Sequence, residues 1–450
     1  MESEQHQQRA PWADAPPEVL GLVVGRLPTL ADCFRFGAVC RPWHAAERQL
    51  PRPKQLPWLA LSLPASATAD RAAFYNLSDK AVYDLPFPAG GGARARICGS
   101  SDDWLVLAHG ERGNFLFNPF TGATLALPHQ RTITRCATRC RGGRRGKWVH
   151  YEYYPRREEP EPYIRKAVLS CRPSMDDPGR CIVAAIADSG DLFFCRPGQS
   201  SWRRPKEGDG SIFHFTVSDI VFHNGRLYAI AGLLNYGDTM RVLEVDDDAG
   251  ELVSSGADGA GFILKLADFK PDELRQCEIG HERRYFVESR GRLLLVERYF
   301  WSDTHGVRRT YLFKVFRRTP VMLDRSNEVV EPWMPLESLD GEVLFLGASG
   351  SRSFAASEHG GDDADCIYFT DDHYLADDSY TWHWQSDVIL DDWSSSLGVT
   401  PSSHCGGSKQ RCHDIGRYCM RDKSVTFLKD LAPNERRSPP TWLYLSERRR

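Results

Sequence analysis

APPEVLGLVVGRLPTLADCFRFGAVCRPW, residues 15–43, is the stretch that decides how this chain is read. Asp14 can cap a first helix, and Pro16 and Pro17 suit a first helical turn, where a missing N–H costs nothing. Val19, Leu20, Val23, Val24 and Leu27 follow on a 3.6-residue period and make one apolar stripe. Pro28 ends that helix. Thr29, with Asp32 three residues on, makes a capping arrangement for a second helix. Leu30, Cys33, Phe34 and Gly37 share one face of it, and Phe36 points elsewhere. Val39, Cys40 and Trp43 open a third helical turn, with Pro42 tolerated near its start. Three short helices with more apolar residues than so small a unit can bury read as a docking piece. The competing reading is a helical hairpin packed on the rest of the chain.

Composition narrows the class. The chain has 450 residues, 41% hydrophobic and 26% charged, with a formal net charge of −3. That is the profile of an ordinary globular protein with room for two or three domains, and no global field favours nucleic acid or a membrane surface. The first residues, MESEQHQQRAPWADAPP, have neither a basic start nor an apolar run, so a signal peptide is not expected. No apolar run reaches the length of a membrane span. The 13 cysteines follow no regular framework, and Cys33, Cys40, Cys181 and Cys366 lie in apolar runs. They read as reduced thiols, which places the protein in the nucleus or cytoplasm. Asn76-Leu77-Ser78 is a formal glycosylation sequon that reads as idle in that setting.

From residue 57 onward the texture changes. Short apolar runs alternate with Gly, Pro, Asp and Asn turns, and helical periodicity is weak. Six modules can be read, at residues 56–88, 97–128, 166–205, 213–252, 284–318 and 332–375. Many share a grammar in which a run such as WLVL, LYAI or LLLV is followed by a turn and then a strand such as FLFNP or YLFKV. A spacing of about 40 residues is typical of propeller blades built from four-stranded sheets. One blade cannot cover both its faces, so a ring of blades makes the core. Residues 414–418 and 424–428 read as late strands that close the ring. The competing architecture is a β-sandwich or two smaller β domains. The fold class expected is therefore mainly β with a small α N-terminal domain: residues 1–13 disordered, 14–50 helical, and 51–450 a β-propeller, of six blades on this count. A basic insertion falls at 131–160 and closing strands near 412–445.

The helical stretch resembles an F-box. Pro16, Glu18, Val19-Leu20, Val23-Val24 and Arg26-Leu27-Pro28 match that family's pattern, and Val39-Cys40 with Trp43 matches its later VC..W, while Ala15 stands where a Leu is usual. The β body resembles the KIB-type propeller that commonly follows an F-box in plants. Carrying that likeness are WLVL at 104–107, NPFTG at 118–122, KAVLS at 166–170, and FFCRPG leading to Trp202. DIVFHNGRLYAI at 219–230, FVESRGRLLLV at 286–296, CIYFTDD at 366–372 and PPTWLYLS at 439–446 continue it. Ser338-Leu339-Asp340-Gly341 departs from the family's usual Ser-Leu-Gly-Asp, which alters a turn. The resemblance implies a substrate-recognition subunit of an SCF-type cullin–RING ubiquitin ligase. Its F-box would lay an apolar face on a Skp-type adaptor, and through it reach a cullin and a RING subunit. Pro16, Leu20, Val23, Leu27, Pro28, Leu30, Val39 and Trp43 would be anchor or core positions. The alternative is a propeller interaction module acting outside any ligase.

Little in the sequence points to bond chemistry. There is no phosphate loop, dinucleotide fingerprint or HExxH, and residues 347–351, GASGS, lack the spacing of a nucleophile elbow. His404, Cys405, Cys412, His413 and Cys419 lack the close CxxC pairing of a zinc knuckle and read as a polar loop, and Cys136 with Cys140 is an equally loose pair. The acids Asp362, Asp363, Asp365, Asp371, Asp372, Asp377 and Asp378 could bind a cation or a basic target, but read better as solvated loops. A propeller glycosidase would need two close carboxylates that sequence spacing cannot place. No cofactor or metal is expected. Residues 131–157 carry nine Arg or Lys against Glu152 alone, interleaved with Trp148, Tyr151, Tyr153 and Tyr154. Arg141, Arg144, Arg145, Lys147 and Trp148 are candidate contacts for an unknown target protein, because loops on rigid scaffolds often carry recognition. A solvated loop is the competing reading, and nucleic acid comes third.

Overall fold

The computed structural model describes residues 12–27, 30–49, 55–62, 70–88, 95–109, 112–133, 137–142, 148–153, 163–206, 216–233, 237–246, 251–254, 262–263, 280–302, 308–318, 322–323, 329–330, 333–359, 363–371, 414–428 and 440–445. Six antiparallel-based sheets follow one another along the chain. The second sheet, with strands Ala95–Ser101, Trp104–His109, Gly113–Phe117 and Thr124–Ala126 in that order, shows the blade pattern. The third starts at Ile164–Leu169, the fourth at Thr216–His223 and the fifth at Gly280–Ser289, each from its innermost strand outward. In the third, the place of a fourth strand is taken by a bridge in which Phe194 and Arg203 exchange backbone hydrogen bonds of 2.8 and 2.9 Å. The sixth enters by its second strand, Glu342–Gly347, which pairs antiparallel with the innermost Gly350–Ala355 and parallel with Cys366–Phe369.

Packing shows that these sheets form a ring. Apolar clusters lie between the first and second sheets, second and third, third and fourth, fourth and fifth, fifth and sixth, and sixth and first. Each sheet is thus covered on both faces, which is why its inner strands are continuous apolar runs rather than alternating ones. Trp104–His109, Val183–Ala187 and Glu342–Gly347 are buried at every position, whereas the outermost Ala81–Pro86 alternates between half-buried and exposed. The protein is a six-bladed β-propeller preceded by three helices.

The ring is closed by the strand Thr441–Leu443, which pairs with Trp58–Ser62 and becomes the innermost strand of the first blade. Its neighbours lock it on both sides. Trp442 donates its indole N–H to the Leu346 carbonyl at 2.9 Å in the sixth blade, and the Tyr444 N–H donates to Ser100 Oγ at 2.9 Å in the second. Residues 414–418 and 424–428 were expected in this role, but their strands, Gly416–Cys419 and Val425–Phe427, are outer strands of the sixth blade. Hydrogen-bonding partners decide the matter: Cys366–Phe369 takes up Gly416–Cys419. Likewise Trp333–Leu336, read as the start of the sixth module, pairs with the fifth blade at Val315–Arg318.

Polar groups tie neighbouring blades together. Lys166 and Asp219 make a buried ion pair between the third and fourth blades, and Asp219 also accepts the Phe286 N–H of the fifth at 2.7 Å. Between the fifth and sixth, the buried Arg298 guanidinium meets the Asp414 carboxylate at 3.0 Å, which further accepts from the Thr310 hydroxyl at 2.6 Å and N–H at 3.1 Å. The inner strands also approach closely. A Cβ at Gly99 would lie 2.1 Å from the Ala167 carbonyl oxygen, so only glycine fits there. The buried thiols are structural: burial pushes Cys98 and Cys181 up to about 12. Asn76 of the sequon is fully buried, with its side-chain oxygen accepting the Ser78 N–H at 2.9 Å, so the folded chain offers no glycan acceptor there.

Candidate docking surface

The three helices are Pro17–Val24 (α1), Leu30–Gly37 (α2) and Arg41–Gln49 (α3), preceded by a 3-10 turn at Trp12–Asp14. Leu20, Val24, Phe36 and Ala46 form their core, with Ala15, Val23, Leu27 and Trp43 packed around it. Trp43 stacks on Phe36 at 4.3 Å between ring centroids, and its indole N–H donates to the Trp12 carbonyl at 3.0 Å. That contact fastens the 3-10 turn to α3, so Trp12, which the sequence places in a disordered tail, belongs to the unit. Asp14 does not cap α1; the N-cap position is Pro16, with no side-chain acceptor. Phe36, expected to point away, is part of the core, because α3 crosses to meet it.

What this core leaves outside is informative. Leu20 is 1% exposed, but Leu22 is 64%, Val39 61% and Val19 40% exposed. Residues 20 and 22 differ by about 200° around a helix, so the same residue type serves opposite faces. Of the positions expected as anchor or core, Leu20 is core, while Val23, Leu27 and Trp43 are half-buried against it. Pro16 and Val39 are exposed. Pro28 lies outside the described residues, as does the side chain of Leu30, the first residue of α2. Leu22 was not among the expected positions; its place off the Leu20 stripe on a helical wheel is the signal that would have found it.

The helical unit is seated on the ring. Phe34 stacks on Phe120 at 4.3 Å, and Phe120 meets Trp58 edge-on at 5.9 Å. Phe120 is presented by the NPFTG turn, whose Asn118 side-chain oxygen accepts the N–H groups of Phe120 at 3.0 Å and Thr121 at 3.1 Å. Beside it the Arg35 guanidinium lies 5.8 Å from the centre of the Tyr83 ring. Phe34 therefore belongs to the cluster between the first and second blades rather than to the helical core. The exposed residues Val19, Leu22 and Val39 are held in a fixed relation to the propeller by this seat.

The other candidates are placed as follows. In the basic insertion, Ala137–Gly142 pairs with Trp148–Tyr153, setting Arg141 opposite Val149 and Gly142 opposite Trp148; the backbone there is a hairpin, not a loop throughout. Arg144, Arg145 and Lys147, and the side chains of Arg141 and Trp148, lie outside the described residues. So do His404, Cys405, Cys412, His413 and Cys136, and the side chain of Cys140. Among the described residues, no group of three or more His, Cys, Asp or Glu could hold a metal ion. Two acids of the acidic run are used by the fold. Asp363 pairs with Arg417 at 3.1 Å, and Asp365 accepts from Ser338 at 2.9 Å, the Leu339 N–H at 2.7 Å and Arg421 at 3.3 Å. Asp362, Asp372, Asp377 and Asp378 lie outside the described residues. GASGS is a tight connection between the paired strands Glu342–Gly347 and Gly350–Ala355.

Comparison with known proteins agrees with this architecture. A family model described as KIB1-4 beta-propeller matches residues 74–408. The chain belongs to the KIB1-4 beta-propeller family. Among curated proteins of Arabidopsis thaliana, F-box protein SKIP23 is 21% identical over 77% of this chain and 80% of its own length. F-box protein At2g26160 is 21% identical over 81% and 96%, respectively. Putative F-box protein At4g22660 is 28% identical over 28% of this chain, and the match spans 32% of that relative's length. Among solved structures, the N-terminal domain of Nup159 aligns with 60% of this chain and 62% of its own at 9% identity and a TM-score of 0.23, too low to bear on the fold. No helix among the described residues is long and apolar enough to cross a membrane.

Proposed function

We propose that this KIB-family chain is the substrate-recognition subunit of an SCF-type cullin–RING ubiquitin ligase. The observation that carries the reading is the exposure of Val19, Leu22 and Val39 on a helical unit whose own core is already filled. Apolar side chains left out of a packed core, on helices seated firmly on a larger body, suit a helix-against-helix dock. The partner expected there is a Skp-type adaptor, which brings the cullin and the RING subunit. Ala15, where an F-box commonly has Leu, packs against the helical core in this chain, so the smaller residue is absorbed on the inside. The propeller then presents a target protein. The chain performs no bond chemistry; it raises the local concentration of a target lysine near the charged ubiquitin carrier. The setting is the nucleus, the cytoplasm or both.

The test is co-purification of the full chain with a Skp-type adaptor and cullin. Wild type is expected to retain both at micromolar concentration. Leu22→Asp/Val39→Asp is expected to lose them while unfolding at the wild-type temperature. Failure of wild type to retain the adaptor, or retention by the double variant, overturns the reading.

A further inference from the structure

Three inner strands of the ring begin with an arginine close to the same end. Arg96 is the second residue of Ala95–Ser101, Arg165 the second of Ile164–Leu169, and Arg283 lies near the start of Gly280–Ser289. Cross-blade contacts fix their relative heights. The Cys98 thiol donates to the Ile164 carbonyl at 3.1 Å, setting Arg96 level with the beginning of the third blade. Asp219 joins Lys166 to the Phe286 N–H, setting Arg165 just below Arg283. The Arg96 guanidinium lies 4.4 Å from the centre of the Tyr163 ring, directly before Arg165 in the chain. Basic residues of the second, third and fifth blades thus share one rim.

Arg96 and Arg165 keep hydrogen-bonding capacity to spare. Arg96 Nη1 is buried with no hydrogen-bond partner among the described residues. Arg165 spends one nitrogen on backbone, donating to the carbonyls of Val217 at 2.8 Å and Ser218 at 3.4 Å. Burial, then the positive charge of Arg283, pushes Arg165 down to about 10, as like charges held close together require. Of the two carboxylates that act on Arg165, Asp219 is also engaged by Lys166 and the Phe286 N–H, and the other is Asp188.

We infer that this rim, with Arg96 and Arg165 at its centre, is the docking site for an acidic segment of a protein partner. Guanidinium forks match carboxylate and phosphate oxygens alike. Nucleic acid fits less well. Base stacking needs an open aromatic face, and the Tyr163 ring is already covered by Arg96. The inference names the partner class for the propeller in the ligase reading. It is tested with no adaptor present, so its failure is distinct from failure of adaptor docking.

The experiment is fluorescence anisotropy on the full chain with labelled octaglutamate, a phosphoserine peptide of the same length, and a single-stranded oligonucleotide of equal charge. Both peptides are expected to bind, more weakly at higher salt. The tighter of the two identifies carboxylate or phosphate as the natural group. Arg96→Gln and Arg165→Gln should each weaken binding about tenfold, the worth of one charged hydrogen bond. Arg352→Gln, whose guanidinium is paired with Asp102 at 3.1 Å, should leave it unchanged. Arg165 supports its neighbouring strand and its loss can unfold the ring; Arg96→Gln removes a nitrogen with no partner and keeps the test decisive. Absence of peptide binding by wild type, undiminished binding by folded Arg96→Gln, or tighter binding of the oligonucleotide than of either peptide overturns the inference.

Discussion

Leu22→Ala separates docking from folding. The side chain is 64% exposed, so about two thirds of its surface remains to be covered by a partner. Full burial of a leucine contributes about 1.5–3 kcal/mol, which leaves about 1–2 kcal/mol to be lost on truncation. That is about a five- to thirty-fold rise in Kd for the adaptor. Stability should change by less than about 0.5 kcal/mol, because the side chain packs on no core and alanine is a strong helix former. Leu20→Ala is the mirror image. At 1% exposure it is core, and its truncation should cost the helical unit about 2–5 kcal/mol. The assay pairs biolayer interferometry against an immobilised Skp-type adaptor with thermal unfolding of each variant. If Leu22→Ala binds within twofold of wild type, or melts as early as Leu20→Ala, the assignment of an outer docking face to α1 is wrong.

Other consequences concern the ring that carries this face. Asp414→Ala leaves the Arg298 charge buried without its carboxylate and should cost about 3–5 kcal/mol in urea unfolding, with Asp414→Asn costing less; equal stability of all three chains would contradict the network. Gly99→Ala should destabilise the contact between second and third blades, seen as faster amide exchange in Ala95–Ser101, since its Cβ would meet the Ala167 carbonyl at 2.1 Å. Burial works to raise the Asp365 carboxyl, but hydrogen bonds from Ser338, the Leu339 N–H and Arg421 outweigh it and hold the group below its ordinary 3.8. A depressed folded-state value means that its stabilisation is present above the unfolded-state value and is lost as pH falls through the folded one. Asp365→Asn should therefore flatten the acid limb of a stability profile below pH 3.8 and lower the plateau above it; an unchanged limb would exclude the group.

The ring was legible in the sequence because blades repeat a physical requirement. A strand covered on both faces must be apolar throughout, and WLVL at residues 104–107 and LLLV at 293–296 announce it. Tight turns between such runs are as clear, since Asn224-Gly225 and Arg290-Gly291 take the positive φ values that a two-residue hairpin needs. Strand order in the sixth blade was not legible. Nothing in Gly416–Cys419 distinguishes a strand that continues one sheet from one that closes another, because both satisfy the same local pattern. The helical unit divides the same way. Its existence follows from periodicity, but the fate of Phe34 and Phe36 depends on two tertiary partners, Phe120 and Trp43. Asp363 and Asp365 looked like part of a free acidic run for a similar reason: Arg417 and Arg421, which engage them, are more than 50 positions away in the chain.

The strand Thr441–Leu443 also has a consequence for biogenesis. Trp58–Ser62 presents an unpaired edge from the moment it leaves the ribosome until Leu443 arrives to pair with Trp58. Open edges recruit other strands, so the first blade needs shielding while the residues between Ser62 and Thr441 are made. The helices seated at Phe120 need only the first two blades for their contacts. A chain stopped anywhere between residues 130 and 440 would thus carry its seated helices, with Val19 and Leu22 exposed, beside an unsealed ring.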